Sequence, residues 1–282
     1  MAKSFLHRFA SRYRKNKLVS EFLSKTGSDL QPQQWVFIIG CYNSGTTLLE
    51  KILTGHKSIA GLNDEGVILT NQLSRPEDFE YNRIWYPVAS RLYIDPKSPS
   101  APNIAQTVKK HWSHFYDKTK TVFLEKSISN ALRIDFLNRF FSPASFIYIV
   151  RNGYAVAEGI RRKGDPQRFD RIAEKNYPLA MCVRQWVESD RVITEALADK
   201  RHLTIRYEEL TENIHETMRN VCEFLKIKPF SADQLAGKVS VHGRLRSVRN
   251  MNNASVANLT DDDIQMIRRE AGEVLARYNY SA

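Results

Sequence analysis

The sequence has 282 residues, a formal net charge of +11 at pH 7, and 42% hydrophobic and 11% aromatic residues. This content can build a large core, so the chain is not a disordered one, and the charge suits an anionic partner or simply a basic, soluble surface. Three widely spaced cysteines argue against a disulfide framework or a zinc site and favour a reducing, cytoplasmic compartment. No stretch approaches the ~20 apolar residues of a membrane-spanning helix.

The first predicted element is a basic amphipathic helical segment within residues 1–30. Between Ser4 and Leu23 the apolar residues recur at roughly helical spacing, and arginines and lysines fill much of the rest. The first interpretation is a peripheral helix that packs on the domain. A helix on a membrane surface and an organelle transit peptide are the alternatives.

Residues 31–282 are expected to form a single α/β domain. Short apolar runs predict strands at residues 35–39, 121–124, 145–150 and 202–205. Helices are predicted at residues 46–53, 153–163, 178–198, 213–225 and 261–278, whereas residues 65–118 are the least legible part. The alternation predicts a P-loop-like three-layer α/β/α fold with a mostly parallel central sheet, in which ligands bind at the carboxyl ends of the strands.

The first candidate motif is the octapeptide at residues 40–47, which follows the first strand. Its spacing is that of G-x-x-x-x-G-K-[ST], but Thr46 stands at the lysine position. Glycines permit the tight turn, and amides at the start of the following helix point at an anion. Without the lysine a phosphate-bearing ligand that has no γ-phosphate is favoured, the alternative being a plain Gly-Ser turn.

A second candidate follows the third strand. Arg151 comes directly after a run of mostly apolar residues at the ligand edge of the sheet. An arginine there is well placed to bind a phosphate in a bidentate manner.

These elements together resemble the superfamily of sulfotransferases that use 3′-phosphoadenosine-5′-phosphosulfate (PAPS). Residues 44–47, Ser-Gly-Thr-Thr, are similar to its 5′-phosphosulfate loop, and residues 149–152, Ile-Val-Arg-Asn, to its 3′-phosphate motif. Residues 124–127, Leu-Glu-Lys-Ser, resemble a segment of the glycan sulfotransferases, and residues 205–210 the family's later strand and helix. The resemblance spans about residues 35–225 and is closer to the glycan and tyrosyl-protein types than to the cytosolic phenol type.

The resemblance implies a nucleotide site without a metal. It would hold the 5′-phosphosulfate through the amides of Ser44, Gly45, Thr46 and Thr47, and the 3′-phosphate through Arg151. Near the carboxyl terminus a basic loop containing Arg244, Arg246 and Arg249 would fold over the nucleotide, the alternative being plain surface charge.

The sequence departs from the family pattern at two positions. Asn43 stands where the family has a basic residue before Ser-Gly-Thr-Thr, and Gly159 stands where the 3′-phosphate motif has a serine. Lys126 is the candidate replacement cation, because it follows the second strand at the same sheet edge. Either another group supplies these contacts, or the nucleotide is held more weakly, or the protein is inactive.

The resemblance also implies a general base for a hydroxyl acceptor. Glu65 is favoured and Asp64 is the neighbouring choice, because they lie at the distance from Thr47 at which tyrosyl-protein relatives have a glutamate. A loop carboxylate or helix cap is the alternative.

The function predicted is transfer of a sulfuryl group from PAPS to a hydroxyl or amine, with a carbohydrate or glycolipid as the acceptor. A P-loop kinase and a catalytically impaired homologue that binds a nucleotide or another anionic ligand remain alternatives. Nucleic acid is not expected as a partner. A cytoplasmic protein is expected, with contact between the N-terminal segment and a membrane surface as the alternative to its packing on the domain.

Overall fold

The fold is built on a five-stranded parallel sheet. The computed structural model describes residues 2–62, 64–169, 175–236, 239–241, 244–246 and 248–282. The strands of the sheet are β1 Gln34–Gly40, β2 Ile59–Gly61, β3 Val122–Glu125, β4 Ala144–Val150 and β5 His202–Arg206. Their order is β2-β3-β1-β4-β5, and every neighbouring pair is parallel, which confirms the predicted fold class. A separate antiparallel pair consists of β6 Val239–Val241 and β7 Arg244–Arg246.

Both faces of the sheet are buried, as the continuous apolar run of β1 predicts. Trp35, Phe37 and Ile39 belong to the hydrophobic core on one face. Val36 and Ile38, which alternate with them, belong to the core on the other face. Successive side chains of a strand point to opposite faces, so this alternation places β1 in the middle of a three-layer structure.

Helices cover the two faces of the sheet. In chain order they are α1 Ala2–Arg12, α2 Lys17–Thr26, α3 Thr46–Leu53, α4 Ala89–Leu92, α5 Ala101–Trp112, α6 Ile134–Phe140, α7 Gly153–Lys163, α8 Leu179–Leu197, α9 Tyr207–Glu212, α10 Ile214–Leu225, α11 Ala232–Ala236, α12 Asn252–Val256 and α13 Asp261–Arg277. α3 and α7 have the predicted bounds: α3 begins within the candidate phosphate motif at residues 40–47, and α7 begins directly after the candidate motif at residues 149–152.

The N-terminal segment forms two helices where the sequence analysis expected one. The break follows from Asn16, whose Oδ1 accepts hydrogen bonds from the amides of Leu18 and Val19 and so begins α2. Arg14, in the break, is buried and donates to the carbonyl oxygens of Thr70 (3.2 Å) and Leu73 (3.4 Å).

Arg14 also forms an ion pair with Asp78, whose pKa is lowered: burial opposes ionisation, but Arg14 and Lys15 outweigh it. The segment is thus held on the loop that precedes α4. Across the described ranges no helix is both long enough and apolar enough to cross a membrane.

Strand order places the candidate motifs together. β1 lies between β3 and β4, and the chain leaves their carboxyl ends at Cys41, Lys126 and Arg151 respectively. Parallel strands end at the same edge, so these three exits lie side by side.

Candidate functional site

The candidate phosphate loop joins β1 to α3 through a turn with two residues at positive φ. Gly45, the residue before α3, has φ +97°, and Asn43 has φ +62°. A Cβ at Gly45 would lie 2.6 Å from Cδ2 of Tyr207, so both the backbone angle and the close approach require glycine here. The first amides of α3 have no acceptor within the helix, and no side chain in the described ranges caps them. They form a ready anion site.

Most of the predicted site residues line one cleft of about 1190 Å³. The ones that line it are Asn43, Gly45, Thr46, Thr47, Asp64, Glu65, Lys126, Arg151 and Arg249. Ser44, within the loop, is buried, and its amide donates to the carbonyl oxygen of Cys41 at 3.2 Å. The side chains of Arg244 and Arg246 lie outside the part of the chain that the structure describes.

Arg151 lines the cleft and is held in place by its neighbours. Its Nη1 donates to the carbonyl oxygen of Asn43 (2.7 Å), its Nε donates to Oδ1 of Asn252 (2.8 Å), and its guanidinium lies 4.2 Å from the ring centre of Tyr207. The side chain is 8% exposed, and burial lowers the pKa of its guanidinium. Within the described chain the buried Nη2 has no hydrogen-bond partner. A rigid arginine with one free donor in a cleft is suited to an anionic oxygen.

The two departures from the family pattern lie in contact. A Cβ at Gly159 of α7 would be 3.1 Å from Cγ of Asn43 and 3.4 Å from its Nδ2. The Oδ1 of Asn43 accepts a hydrogen bond from Nζ of Lys163 at 3.0 Å. Lys163 lines the cleft as well.

The candidate base is paired with the candidate cation. Nζ of Lys126 lies 3.1 Å from Oε1 of Glu65, and Lys126 is 5% exposed. Burial lowers the pKa of the Lys126 ammonium, but Glu65, Glu50 and Glu125 outweigh it, so the pKa is raised. Lys126 therefore carries its charge in the cleft. Asp64 is exposed and accepts a hydrogen bond from the amide of Glu65 at 2.8 Å.

Glu65 is held by a buried network behind it. The carboxylate of Glu125 accepts hydrogen bonds from the amide of Gly66 (2.8 Å), from the Ser127 hydroxyl and from the Asn130 amide. Gly66 also accepts a bond from Nε1 of Trp112 at 3.0 Å. Burial raises the pKa of Glu125 to about 7. Glu125 and Ser127 thus position the loop, while Lys126 between them faces the cleft.

The cleft also contains residues that the sequence analysis did not single out for this site. Glu50 of α3 lies one helical turn after Thr47, and burial raises the pKa of its carboxyl. Tyr207 donates from its hydroxyl to the carbonyl oxygen of Arg249 (3.2 Å) and accepts from the amide of Met251 (3.3 Å). Tyr207 therefore holds the segment before α12 against the cleft. Helical spacing from Thr47 was the one sequence signal for Glu50.

The lining is rich in charge. Basic side chains are Lys51, Arg75, Arg83, Lys126, Arg151, Arg162, Lys163 and Arg249, and acidic ones are Glu50, Asp64, Glu65 and Glu77. The excess of basic groups favours an anionic ligand. Among the described residues no three His, Cys, Asp or Glu side chains come together as a metal site.

Solved structures of sulfotransferases resemble this fold. The sulfotransferase domain of the olefin synthase from Synechococcus PCC 7002 is 20% identical, with a TM-score of 0.53, 91% of this chain covered and 98% of that chain. Sulfotransferase STF1 from Mycobacterium tuberculosis H37Rv is 13% identical, with a TM-score of 0.54 and coverage of 95% and 86%. The sulfotransferase domain of the curacin biosynthetic pathway is 20% identical, with a TM-score of 0.50 and coverage of 90% and 99%. At these identities the likeness is one of fold.

Family membership rests on the sequence. No curated protein matches this chain in a sequence search. A family model described as "Sulfotransferase family" matches residues 34–232, which include the phosphate loop, Lys126 and Arg151. This match covers more than half of the chain and confirms the predicted resemblance to the sulfotransferases, without distinguishing the glycan type from the others. The chain belongs to the sulfotransferase family.

Proposed function

We propose that the protein transfers a sulfuryl group from PAPS to a hydroxyl or amine of a carbohydrate or glycolipid. One observation carries the choice of nucleotide: the residues at the start of α3, whose amides are uncapped, line the same cleft as Arg151, whose buried Nη2 has no partner among the described residues. Two separate anion sites in one cleft suit a nucleotide that carries phosphate at both its 5′ and 3′ positions. Thr46 at the lysine position is a disadvantage for Mg-ATP, the ligand of the alternative P-loop kinase.

The arrangement suits direct transfer to a hydroxyl. Glu65 accepts the proton of the acceptor hydroxyl, whose oxygen forms a bond to sulfur while the bond between sulfur and the bridging oxygen of the 5′-phosphate breaks. The leaving phosphate keeps that electron pair, and the amides of Thr46 and Thr47 together with Lys126 stabilise its charge. Lys126, 3.1 Å from Glu65, also favours the ionised carboxylate that a base requires.

A glycolipid acceptor is supported by the surface next to the cleft. Phe5, Phe9, Tyr13, Leu18 and Phe22 are exposed on α1, α2 and the break between them. Exposed basic side chains accompany them: Arg8, Arg12, Lys15 and Lys17. Aromatic and basic side chains together suit the surface of an anionic membrane.

This surface is joined to the cleft through one loop. Arg14, in the break, contacts Asp78, and Asp78 accepts a hydrogen bond from the amide of Arg75 at 3.0 Å. Arg75 and Glu77 line the cleft. A lipid-borne acceptor at the membrane surface would thus lie near the cleft. Flotation with vesicles tests this contact with an anionic membrane. Binding of the protein to anionic phosphatidylglycerol vesicles that is lost in Phe5→Ser/Phe9→Ser supports the contact. Equal recovery of the protein with neutral phosphatidylcholine vesicles contradicts it.

Sulfuryl transfer itself is tested with sulfur-labelled PAPS and a panel of neutral glycans, glycolipids and small phenols. We expect labelled glycan or glycolipid, and a rate about 100-fold lower for Glu65→Gln with the affinity for nucleotide unchanged. Asp64→Asn, a matched loss of one carboxylate at the next residue, should stay within a few-fold of wild type. Transfer to phenols alone would contradict the acceptor class, and nucleotide binding without any transfer would favour the impaired homologue.

A further inference from the structure

Asn43 occupies space that a side chain at position 159 would otherwise fill. A Cβ built on Gly159 lies 3.1 Å from Cγ, 3.2 Å from Cβ and 3.4 Å from Nδ2 of Asn43, which is closer than ordinary van der Waals contact for most of these atoms. The glycine therefore lets the Asn43 amide pack directly on the backbone of α7. The two residues that depart from the family pattern share one place in the cleft wall.

Two buried donors in this wall have no acceptor within the described chain. They are Nδ2 of Asn43 and Nη2 of Arg151. The two residues are already joined, because Nη1 of Arg151 donates to the backbone carbonyl oxygen of Asn43 at 2.7 Å. A buried donor without an acceptor costs free energy, which a ligand that brings several acceptor oxygens would recover.

Lys163 fixes the orientation of the Asn43 amide. Its ammonium donates to Oδ1 of Asn43 at 3.0 Å, so the amide nitrogen must point to the opposite side. The ammonium is also crowded by cations. Desolvation, together with the charges of Arg83, Arg162 and Arg151, lowers the pKa of Lys163 to about 8. A bound anion would relieve this repulsion.

We propose that Asn43 and Lys163 complete the 3′-phosphate site of the bound nucleotide. Asn43, packed in the space that a side chain at position 159 would fill, donates from Nδ2 to the same phosphate as Nη2 of Arg151, and Lys163 orients the amide and adds a positive charge. This inference rests on the proposed nucleotide. It gives Asn43 a binding role different from that of the basic residue it replaces, and leaves Lys126 to face the 5′-phosphosulfate.

The test compares two nucleotides by calorimetric titration: adenosine 3′,5′-bisphosphate and adenosine 5′-phosphate, which lacks the 3′-phosphate. For wild type we expect a preference for the bisphosphate. Lys163→Met should weaken bisphosphate binding about tenfold or more and leave binding of the monophosphate within about twofold. Lys57→Met, which removes the same charge from an exposed residue outside the cleft lining, should change neither.

Asn43→Gly, chosen because glycine tolerates φ +62°, should reduce the same preference about fivefold. In the double variant Asn43→Gly/Gly159→Ser, the serine hydroxyl should enter the vacated space and recover most of that loss. Thermal unfolding of each ligand-free variant separates these effects from a failure to fold. The recovery distinguishes a phosphate contact from a merely structural role of Asn43.

A pH series gives an independent readout. The charged groups that face Lys163 are Arg83, Arg151, Arg162 and Glu158. Because the pKa of Lys163 lies near 8 in the free protein, bisphosphate affinity should fall as the pH rises from 7 to 9.5. In Lys163→Arg it should stay nearly flat, since a guanidinium remains charged over this range.

The outcomes separate the two proposals. A wild type that prefers the bisphosphate, with Lys163→Met and Asn43→Gly unchanged, overturns this inference and leaves the proposed function standing. Equal losses for both nucleotides overturn it too, because the contact would then not be to the 3′-phosphate. A wild type without preference for the bisphosphate overturns the proposed function and this inference together.

Discussion

Replacing Gly45 by alanine should destabilise the protein through two separate costs. The residue has φ +97°, which an L side chain adopts at a cost of about 1–2 kcal/mol. The added methyl would also lie 2.6 Å from Cδ2 of Tyr207 and 3.3 Å from Cδ1 of Ile149. Tyr207 cannot move away freely, because its hydroxyl holds the backbone of Arg249 and Met251. Crowding of this kind costs about 1–3 kcal/mol.

Together these costs predict that Gly45→Ala lowers the free energy of unfolding by about 2–5 kcal/mol. Urea unfolding followed by circular dichroism measures it. Gly272→Ala is the matched control: a Cβ there meets no atom within 4 Å, and alanine inside α13 should stabilise by about 0.5–1 kcal/mol. A Gly45→Ala protein within about 0.5 kcal/mol of wild type would refute the reasoning, because either cost alone exceeds that value.

Two further predictions concern buried titratable groups. Burial lowers the pKa of His111 to about 4 from 6.5, so its neutral form stabilises the fold and this stability is lost as the pH falls from 6.5 towards 4. When the pH falls from 7.5 to 5, the free energy of unfolding measured with urea should decrease by about 2 kcal/mol more for wild type than for His111→Gln. Equal decreases would contradict this. Lys126→Met should lower the free energy of unfolding by about 2–3 kcal/mol, because it removes the cation paired with Glu65 and near Glu50; Lys126→Met/Glu65→Gln should recover part of this loss. A single variant as stable as wild type in the same unfolding measurement would show that the pair contributes nothing.

The parts of the fold that could be predicted from the sequence are those marked by short sequence patterns, such as apolar runs and glycine-containing turns. The bounds of α3 and α7 were predicted correctly, because each helix starts at a glycine-containing turn after a continuous apolar strand. β2 was missed because its three residues, Ile59–Gly61, are too short to show a period and pair only with β3. The break between α1 and α2 was missed because Asn16 caps a helix inside a stretch whose apolar spacing continues through it.

In the candidate site, too, some residues could be predicted from local sequence signals and others could not. Thr46 and Arg151 could be predicted as cleft residues because each directly follows a recognisable strand, and strand ends converge. The contact between Asn43 and Gly159, and the bond from Lys163 to Asn43, join residues more than a hundred positions apart. No sequence spacing rule predicts contacts between residues that are separated by all the elements from α3 to β4, so these contacts depend on tertiary packing.

The central claim is that the cleft binds a nucleotide phosphorylated at both its 5′ and 3′ positions. It is tested most directly by titrating the wild-type protein with adenosine 3′,5′-bisphosphate and, in parallel, with ATP and Mg²⁺. We predict selective binding of the bisphosphate in the micromolar range, weakened at least tenfold by Arg151→Met. Tighter binding of Mg-ATP, or no binding of either nucleotide, would contradict the account.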